Sequence, residues 1–193
     1  MKRKIQVKST YGLKYVVVDK ENIDVAYNIQ KEIWPEEPAY NDFLDKVINM
    51  EDNNVNFIVY DNKEVIGITG VEIYDEYPDS IWLTWFAVVP KQRRKGYGEK
   101  MLRDTINYCK KLKTYTSFRV DTTFYENRPA IYLYDKVMHL KEEYIAEDTK
   151  EYKSNNMIYT YALKGKVEKW DNKYLGLEDY YNNLKIEEKQ IIV

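Results

Sequence analysis

The chain has 193 residues, 44% of them hydrophobic and 32% charged, a balance that suits one soluble globular domain with its own core. Its formal net charge of -2 and pI near 5.7 supply no global basic field, so nucleic acid is not an expected partner. A single cysteine excludes an intramolecular disulfide and any multi-cysteine metal site, and no metal is expected. No run approaches ~18 apolar residues, and the basic stretch 1–10 lacks a following apolar segment, which reads as a soluble cytoplasmic protein outside the membrane.

In chain order, residues 5–8 and 13–18 read as short strands around the turn at Ser9, Thr10, Tyr11 and Gly12. The second is the stronger, because Tyr15, Val16, Val17 and Val18 form an unbroken β-prone run. Ile23, Ala26, Tyr27, Gln30, Ile33 and Trp34 then recur on one helical face, with Asn22 as the cap and Pro35 as the stop. Another helix is expected at 39–50, on the stripe Tyr40, Phe43, Leu44 and Val47. Residues 55–60 and 64–74 read as a hairpin across Asp61, Asn62 and Lys63, since Asn and Asp tolerate the positive φ of tight turns. Its second strand is apolar on both faces, as in a sheet covered by helices on each side.

The next strand is expected at 81–89, closed by Pro90, followed by a turn that carries Arg93, Arg94, Lys95, Gly96, Tyr97 and Gly98. A helix follows, with Met101, Leu102, Ile106, Cys109 and Leu112 on its apolar stripe; Cys109 there is a packing residue. Glycines that admit close backbone approach, the unpaired N–H groups of a helix start and three cations together suit a pyrophosphate. The turn matches neither G-x-x-x-x-G-K-[ST] nor G-x-G-x-x-G. Downstream come strand 116–123, a helix at 129–137, and strands at 139–146 and 155–162.

The stretch from Arg93 to Gly98, placed after a strand ending in Val-x-Pro, resembles the acyl-CoA loop of the GNAT superfamily of N-acyltransferases: Arg or Gln, two residues, Gly, one residue, Gly or Ala. A second segment, with Asn127, Ala130, Leu133, Tyr134 and Lys136, resembles that family's downstream motif, and the element order agrees over about residues 13–163. The resemblance implies an α/β (α+β) fold with a mixed, mostly antiparallel central sheet and helices on both faces. A bulged strand pair, splayed near Phe86, Ala87 and Val88, would receive the pantetheine arm.

It further implies acetyl-CoA as co-substrate, held by Phe86, Val88, Arg93, Arg94, Lys95, Gly96, Tyr97, Gly98, the Glu99 backbone N–H, Asn127 and Tyr134. Val88 would offer an oxyanion donor and Tyr134 would stand beside the CoA sulfur, where a phenol with pKa near ~10 can protonate the leaving thiolate. The chain departs from the family at Met138-His139, in place of Gly-Phe, and His139 is read as structural. It departs again at Trp82, where some members use a glutamate base. Glu72, Asp121, or Thr84 through a water remain the candidate bases. Glu36 and Glu37, flanked by Trp34 and Tyr40, suit a cationic amine acceptor or simply favour the start of the second helix.

The implied activity is transfer of an acetyl group from acetyl-CoA to a primary amine in a ternary complex. The alternative is a catalytically silent CoA-binding regulatory or scaffold domain. The domain is expected to span 1–163, with an extension at 164–193. There Tyr174, Leu177, Tyr181 and Leu184 fit a short amphipathic helix before an apolar tail, which needs a partner surface on this domain or on a second copy in a homodimer.

Overall fold

The computed structural model describes residues 6–36, 41, 54–75, 77–123, 128–146, 156–170 and 184–190. The helix expected at 39–50 lies outside these apart from Asn41, and Asn127 lies outside them altogether. The chain forms two compact units, Met1–Tyr74 with Trp82–Leu112, and Asp75–Ile81 with Lys113–Val193.

In the first unit, β1 (Lys14–Val17), β2 (Asn54–Asp61), β3 (Glu64–Glu72) and β4 (Ser80–Val88) form an antiparallel meander. The β2–β3 hairpin closes as expected, with Asn62 at φ 54. Helix α1 (Ile23–Ile33) packs Ile23, Ala26 and Ile29 on Ile58 and Ile68, while α2 (Tyr97–Leu112) sets Met101 against Leu13, Val59 and Ile66. Ile58 and Val59 are neighbours on one strand and therefore face opposite ways, so this sheet carries a helix on each side. Asn22 stands at the α1 N-cap but makes no capping bond. Its amide instead donates to the Val17 carbonyl and accepts from the Asp19 N–H.

Two sequence expectations need correction here. Residues 6–9 form no strand: Ser9 and Thr10 are captured by the buried Asp104 of α2. That carboxylate accepts from the Ser9 hydroxyl, from the Thr10 N–H and hydroxyl at 2.8 and 2.9 Å, and from the Tyr15 hydroxyl at 3.2 Å. Leu112, at the end of the α2 stripe, is 38% exposed, whereas Met101, Leu102, Ile106 and Cys109 are buried. Burial pushes the Cys109 thiol pKa up, which keeps it an inert packing group.

In the second unit, β5 (Ser117–Thr123), β6 (Leu140–Ala146), β7 (Asn156–Ala162) and β8 (Leu184–Gln190) are antiparallel in the order β5-β7-β6-β8. Helix α3 (Arg128–Val137) buries Ile131, Tyr134 and Val137. Buried Arg119 reaches from β5 to the Ser80 and Thr160 hydroxyls and to the carbonyls of Glu168 and Lys169, and Glu142 accepts from the Trp170 N–H at 2.8 Å. The helix expected around 174–184 does not extend to Leu184, which starts β8 opposite Ala146; Tyr174, Leu177 and Tyr181 lie outside the described residues. Pairing with β6 satisfies the backbone of 184–190 without a helix.

Candidate functional site

The site is built where β4 leaves the sheet. Its register against β3 runs Gly67↔Val88 and Ile68↔Ala87, then shifts to Gly70↔Thr84, so β4 holds one extra residue. The bulge therefore falls at Trp85–Phe86, slightly earlier than the segment 86–88 expected from sequence. Trp85 takes φ 46, a left-handed conformation costly for a bulky side chain. Its indole packs edge-on against Trp34 at 5.6 Å and joins the α1-side core, whereas Phe86 and Val88 pack on the α2 side. A bulge here re-aims the strand just before the cationic turn.

The Val88 amide direction follows from ladder alternation. Val89 donates its N–H to the Ile66 carbonyl at 2.9 Å, making Ile66/Val89 a hydrogen-bonded pair. The next pair, Gly67/Val88, is then of the other kind, with the Val88 N–H and C=O turned away from β3. The outward carbonyl accepts from Arg93 Nε at 3.1 Å.

Beyond Val88 the chain makes a 3-10 turn at Pro90–Gln92. Arg93 is extended, Arg94 is left-handed at φ 62, and Gly96 is left-handed at φ 79 with no atom within 4 Å of where a Cβ would stand. Gly96 is thus the position where glycine is required, and its open side admits close approach of a ligand. The first turn of α2 closes with Lys100 N–H on the Gly96 carbonyl at 3.3 Å, so the N–H groups of Tyr97 and Gly98 precede any intrahelical acceptor. Arg93, Arg94, Lys95 and Gly96 are all exposed. The Glu99 carboxylate is bound to Arg103 Nε at 3.0 Å, leaving its backbone to face the helix start.

On the inner side of this turn, buried Gln92 donates from Nε2 to Glu64 at 2.6 Å and accepts at Oε1 from Lys95 Nζ at 2.8 Å. The Tyr97 hydroxyl donates to Asp61 at 2.7 Å, and this bond is the first cause raising that phenol's pKa. The sequence gives Asp61 only a place in the hairpin turn and assigns Glu64 and Gln92 no role at the site; their contacts span 28 and 36 residues, and no local pattern signals them.

Cross-strand register brings two candidate bases to one face. Thr84 and Gly70 face Asn56, while Glu72 lies in the next row with Asn54 and Trp82. Asn54 Nδ2 donates to Glu72 at 2.9 Å and Asn56 Nδ2 to Asn54 at 2.8 Å. Trp82 is buried with its ring edge-on to Tyr74 at 6.0 Å. Asp121 belongs to the second unit.

There, Tyr134 is 4% exposed, with its ring 5.3 Å from that of Tyr159. Burial, and secondarily the Asp121 carboxylate, push its pKa above the ordinary tyrosine value, so it carries its proton at neutral pH. His139 stacks on Tyr161 at 3.8 Å, and its Nδ1 accepts the Ala162 N–H at 3.2 Å. Neither Met138 nor His139 has positive φ, so this exit from α3 needs no glycine. Among the described residues no group of three His, Cys, Asp or Glu side chains could hold a metal ion, and no helix is long and apolar enough to cross a membrane.

A strand, a glycine-bearing cationic turn and a helix start with N–H groups that have no intrahelical acceptor thus follow one another directly in the chain. Residues 22–140 match the model of the acetyltransferase (GNAT) family, and the chain belongs to that family. No curated protein matches the sequence. Among solved structures, the chain is similar to RimL, a ribosomal L7/L12 alpha-N-protein acetyltransferase in complex with coenzyme A. That match has TM-score 0.65 at 8% identity and covers 81% of this chain and 97% of the other. It is also similar to a spermidine N-acetyltransferase SpeG chimera from Vibrio cholerae and hSSAT, with TM-score 0.64, 16% identity, and 79% and 96% covered. The ribosomal-protein-S18-alanine N-acetyltransferase from Escherichia coli gives TM-score 0.60, 17% identity, and 84% and 99% covered. At these identities the likeness is one of fold: mixed α/β with a mostly antiparallel sheet.

Proposed function

We propose that the chain is a soluble cytoplasmic N-acetyltransferase that moves an acetyl group from acetyl-CoA to a primary amine of a small molecule or peptide, by direct attack in a ternary complex. The observation that carries this reading is the outward Val88 amide on a strand that runs directly into the exposed cationic turn and the open start of α2. Phosphates at Arg93 to Glu99 and an acyl carbonyl at Val88 would lie along one continuous stretch of backbone, with Phe86 and Asn127 beside the pantetheine arm.

In the proposed reaction the amine nitrogen bonds to the thioester carbon, and the oxyanion that forms meets the Val88 N–H. The C–S bond then breaks, the thiolate takes the Tyr134 proton, and the surplus proton on the new amide nitrogen passes, through water, back to the Tyr134 phenolate. The substrate ammonium has already lost a proton to Glu72, to Asp121, or to a water at Thr84. No covalent enzyme intermediate is needed, since Cys109 is buried and its thiol is held protonated. The similar proteins named for spermidine and for protein N-termini set the acceptor panel. The second reading, a silent CoA-binding domain, draws on Trp82, whose buried indole stands where some relatives use a carboxylate.

Calorimetric titration with acetyl-CoA and CoA, with dephospho-CoA and ATP as controls, tests the donor. Thiol release over polyamines, aminoglycosides, amino acids and peptides tests the reaction. Release with one acceptor class is expected. CoA binding without release from any acceptor would favour the silent domain, and no CoA binding would remove both readings.

A further inference from the structure

The cationic turn is held from behind by side chains of the β2–β3 hairpin. Gln92 is 4% exposed, and both ends of its amide are engaged, Nε2 by Glu64 and Oε1 by Lys95. A buried amide left half-satisfied is costly, so this pair of bonds fixes where Lys95 and its backbone stand. Two residues beyond Lys95 the Tyr97 hydroxyl ties the first residue of α2 to Asp61 at the other end of the hairpin turn. Two anchors on Asp61 and Glu64, flanking Asn62 and Lys63, thus bracket the left-handed residues Arg94 and Gly96. Without such restraint those two backbones would sample other conformations, since an Arg at positive φ is intrinsically unfavourable.

We propose that Asp61, Glu64 and Gln92 are positioning residues for the donor: through Tyr97 and Lys95 they preorganise the turn in the shape that receives a pyrophosphate. This rests on the acetyl-CoA reading above. It also divides the three cations of the turn. Arg93 Nε bonds the Val88 carbonyl and Lys95 Nζ bonds Gln92, neutral acceptors that fix these two cations in place without cancelling their charge, and the exposed Arg94 adds its charge beside them. Rigidity set before binding lowers the ordering cost at binding, so the effect should appear in donor affinity and not in the chemical step.

The test is hydrogen exchange of the free full-length chain alongside CoA titration and acetyl-transfer kinetics, for wild type, Gln92→Leu and Glu64→Ala. Tyr97→Phe removes a single bond at the partly open face, and stands in should Gln92→Leu fail to fold. The expected result is faster exchange confined to amides 93–98, a KM for acetyl-CoA raised about tenfold, and an unchanged kcat. Exchange at 93–98 equal to wild type would overturn the brace. Faster exchange with unaltered CoA affinity would overturn its positioning role, as would a fall in kcat at constant KM. Should wild type bind no CoA, the acetyl-transfer reading and the donor role fall together, whereas exchange at 93–98 still decides the brace by itself.

Discussion

Gly67→Ala probes the geometry at the centre of the site. A Cβ on Gly67 would stand 2.1 Å from the Ala87 carbonyl oxygen and 3.1 Å from Met101 Cε. Met101 Cε is the tip of a flexible chain and can turn aside, but the Ala87 oxygen is backbone. Contacts under 3.0 Å are essentially never made by a real Cβ, so β4 must retreat by about 1 Å at Ala87 in a close-packed interior. That movement strains the Val89 N–H to Ile66 bond and the adjoining ladder, for a cost of about 2–4 kcal/mol from overpacking and one weakened bond. Val88 moves with Ala87, and under the proposed role of its N–H a ~1 Å misplacement should lower turnover by about 100-fold. Gly70→Ala is the control. Its Cβ would meet Asn56 Oδ1 at 2.0 Å and Thr84 Cγ2 at 3.0 Å, both of them side-chain atoms, so it should cost less and leave Val88 in place. Urea unfolding and steady-state acetyl transfer read the two effects. A Gly67→Ala chain with wild-type midpoint and kcat would refute both the close approach and the role of Val88.

Tyr134→Phe removes one hydroxyl from a buried ring and should lower kcat by about 10- to 100-fold with little change in the KM for acetyl-CoA; unchanged kcat would show that the thiolate finds its proton elsewhere. His139→Asn should leave kcat at the wild-type value while lowering stability by about 1 kcal/mol, through loss of the ring on Tyr161, and a collapse of kcat in the folded variant would reinstate the imidazole as a catalytic group. Tyr15, Tyr134 and Tyr159 all have raised pKa values, burial being the first cause in each. The folded chain therefore keeps protons that the unfolded chain releases near ~10. Their stabilisation is complete below about pH 10 and is lost progressively above it, so the urea midpoint should fall as pH rises beyond ~10, together with delayed tyrosinate absorbance. A midpoint constant from pH ~9 to ~11 would contradict this burial.

Much of the molecule is written locally in the chain. The β-prone run 15–18, the turn at Asn62, the stripe of α2 and the spacing from Arg93 to Gly98 are each decided by neighbours in sequence. Strand alternation, helical period and glycine's tolerance of positive φ act over a few residues. The cationic turn could therefore be read, with its strand before and its helix after. The expectation for Tyr134 came from elsewhere, from the resemblance of the segment holding Asn127 and Ala130 to the family's downstream motif.

What could not be read depends on groups distant in sequence. A strand was expected at 5–8, yet the described residues 6–8 form none, and the turn expected at Ser9 and Thr10 is held by Asp104, far off on α2. Leu184 fits a helical stripe, yet an open β6 edge offers its segment a ladder. The bulge at Trp85 lies across from β3 between Ile68 and Gly70 and needs Trp34 to pack on, and the Glu64–Gln92–Lys95 chain needs the hairpin to arrive behind the turn. The sequence by itself determined that a strand, a glycine-bearing cationic turn and a helix follow one another at 80–112. Only the tertiary structure decided which side chains hold it and which way Val88 points, because a hydrogen-bond partner 28 or 36 residues away becomes a neighbour only once the sheet has formed.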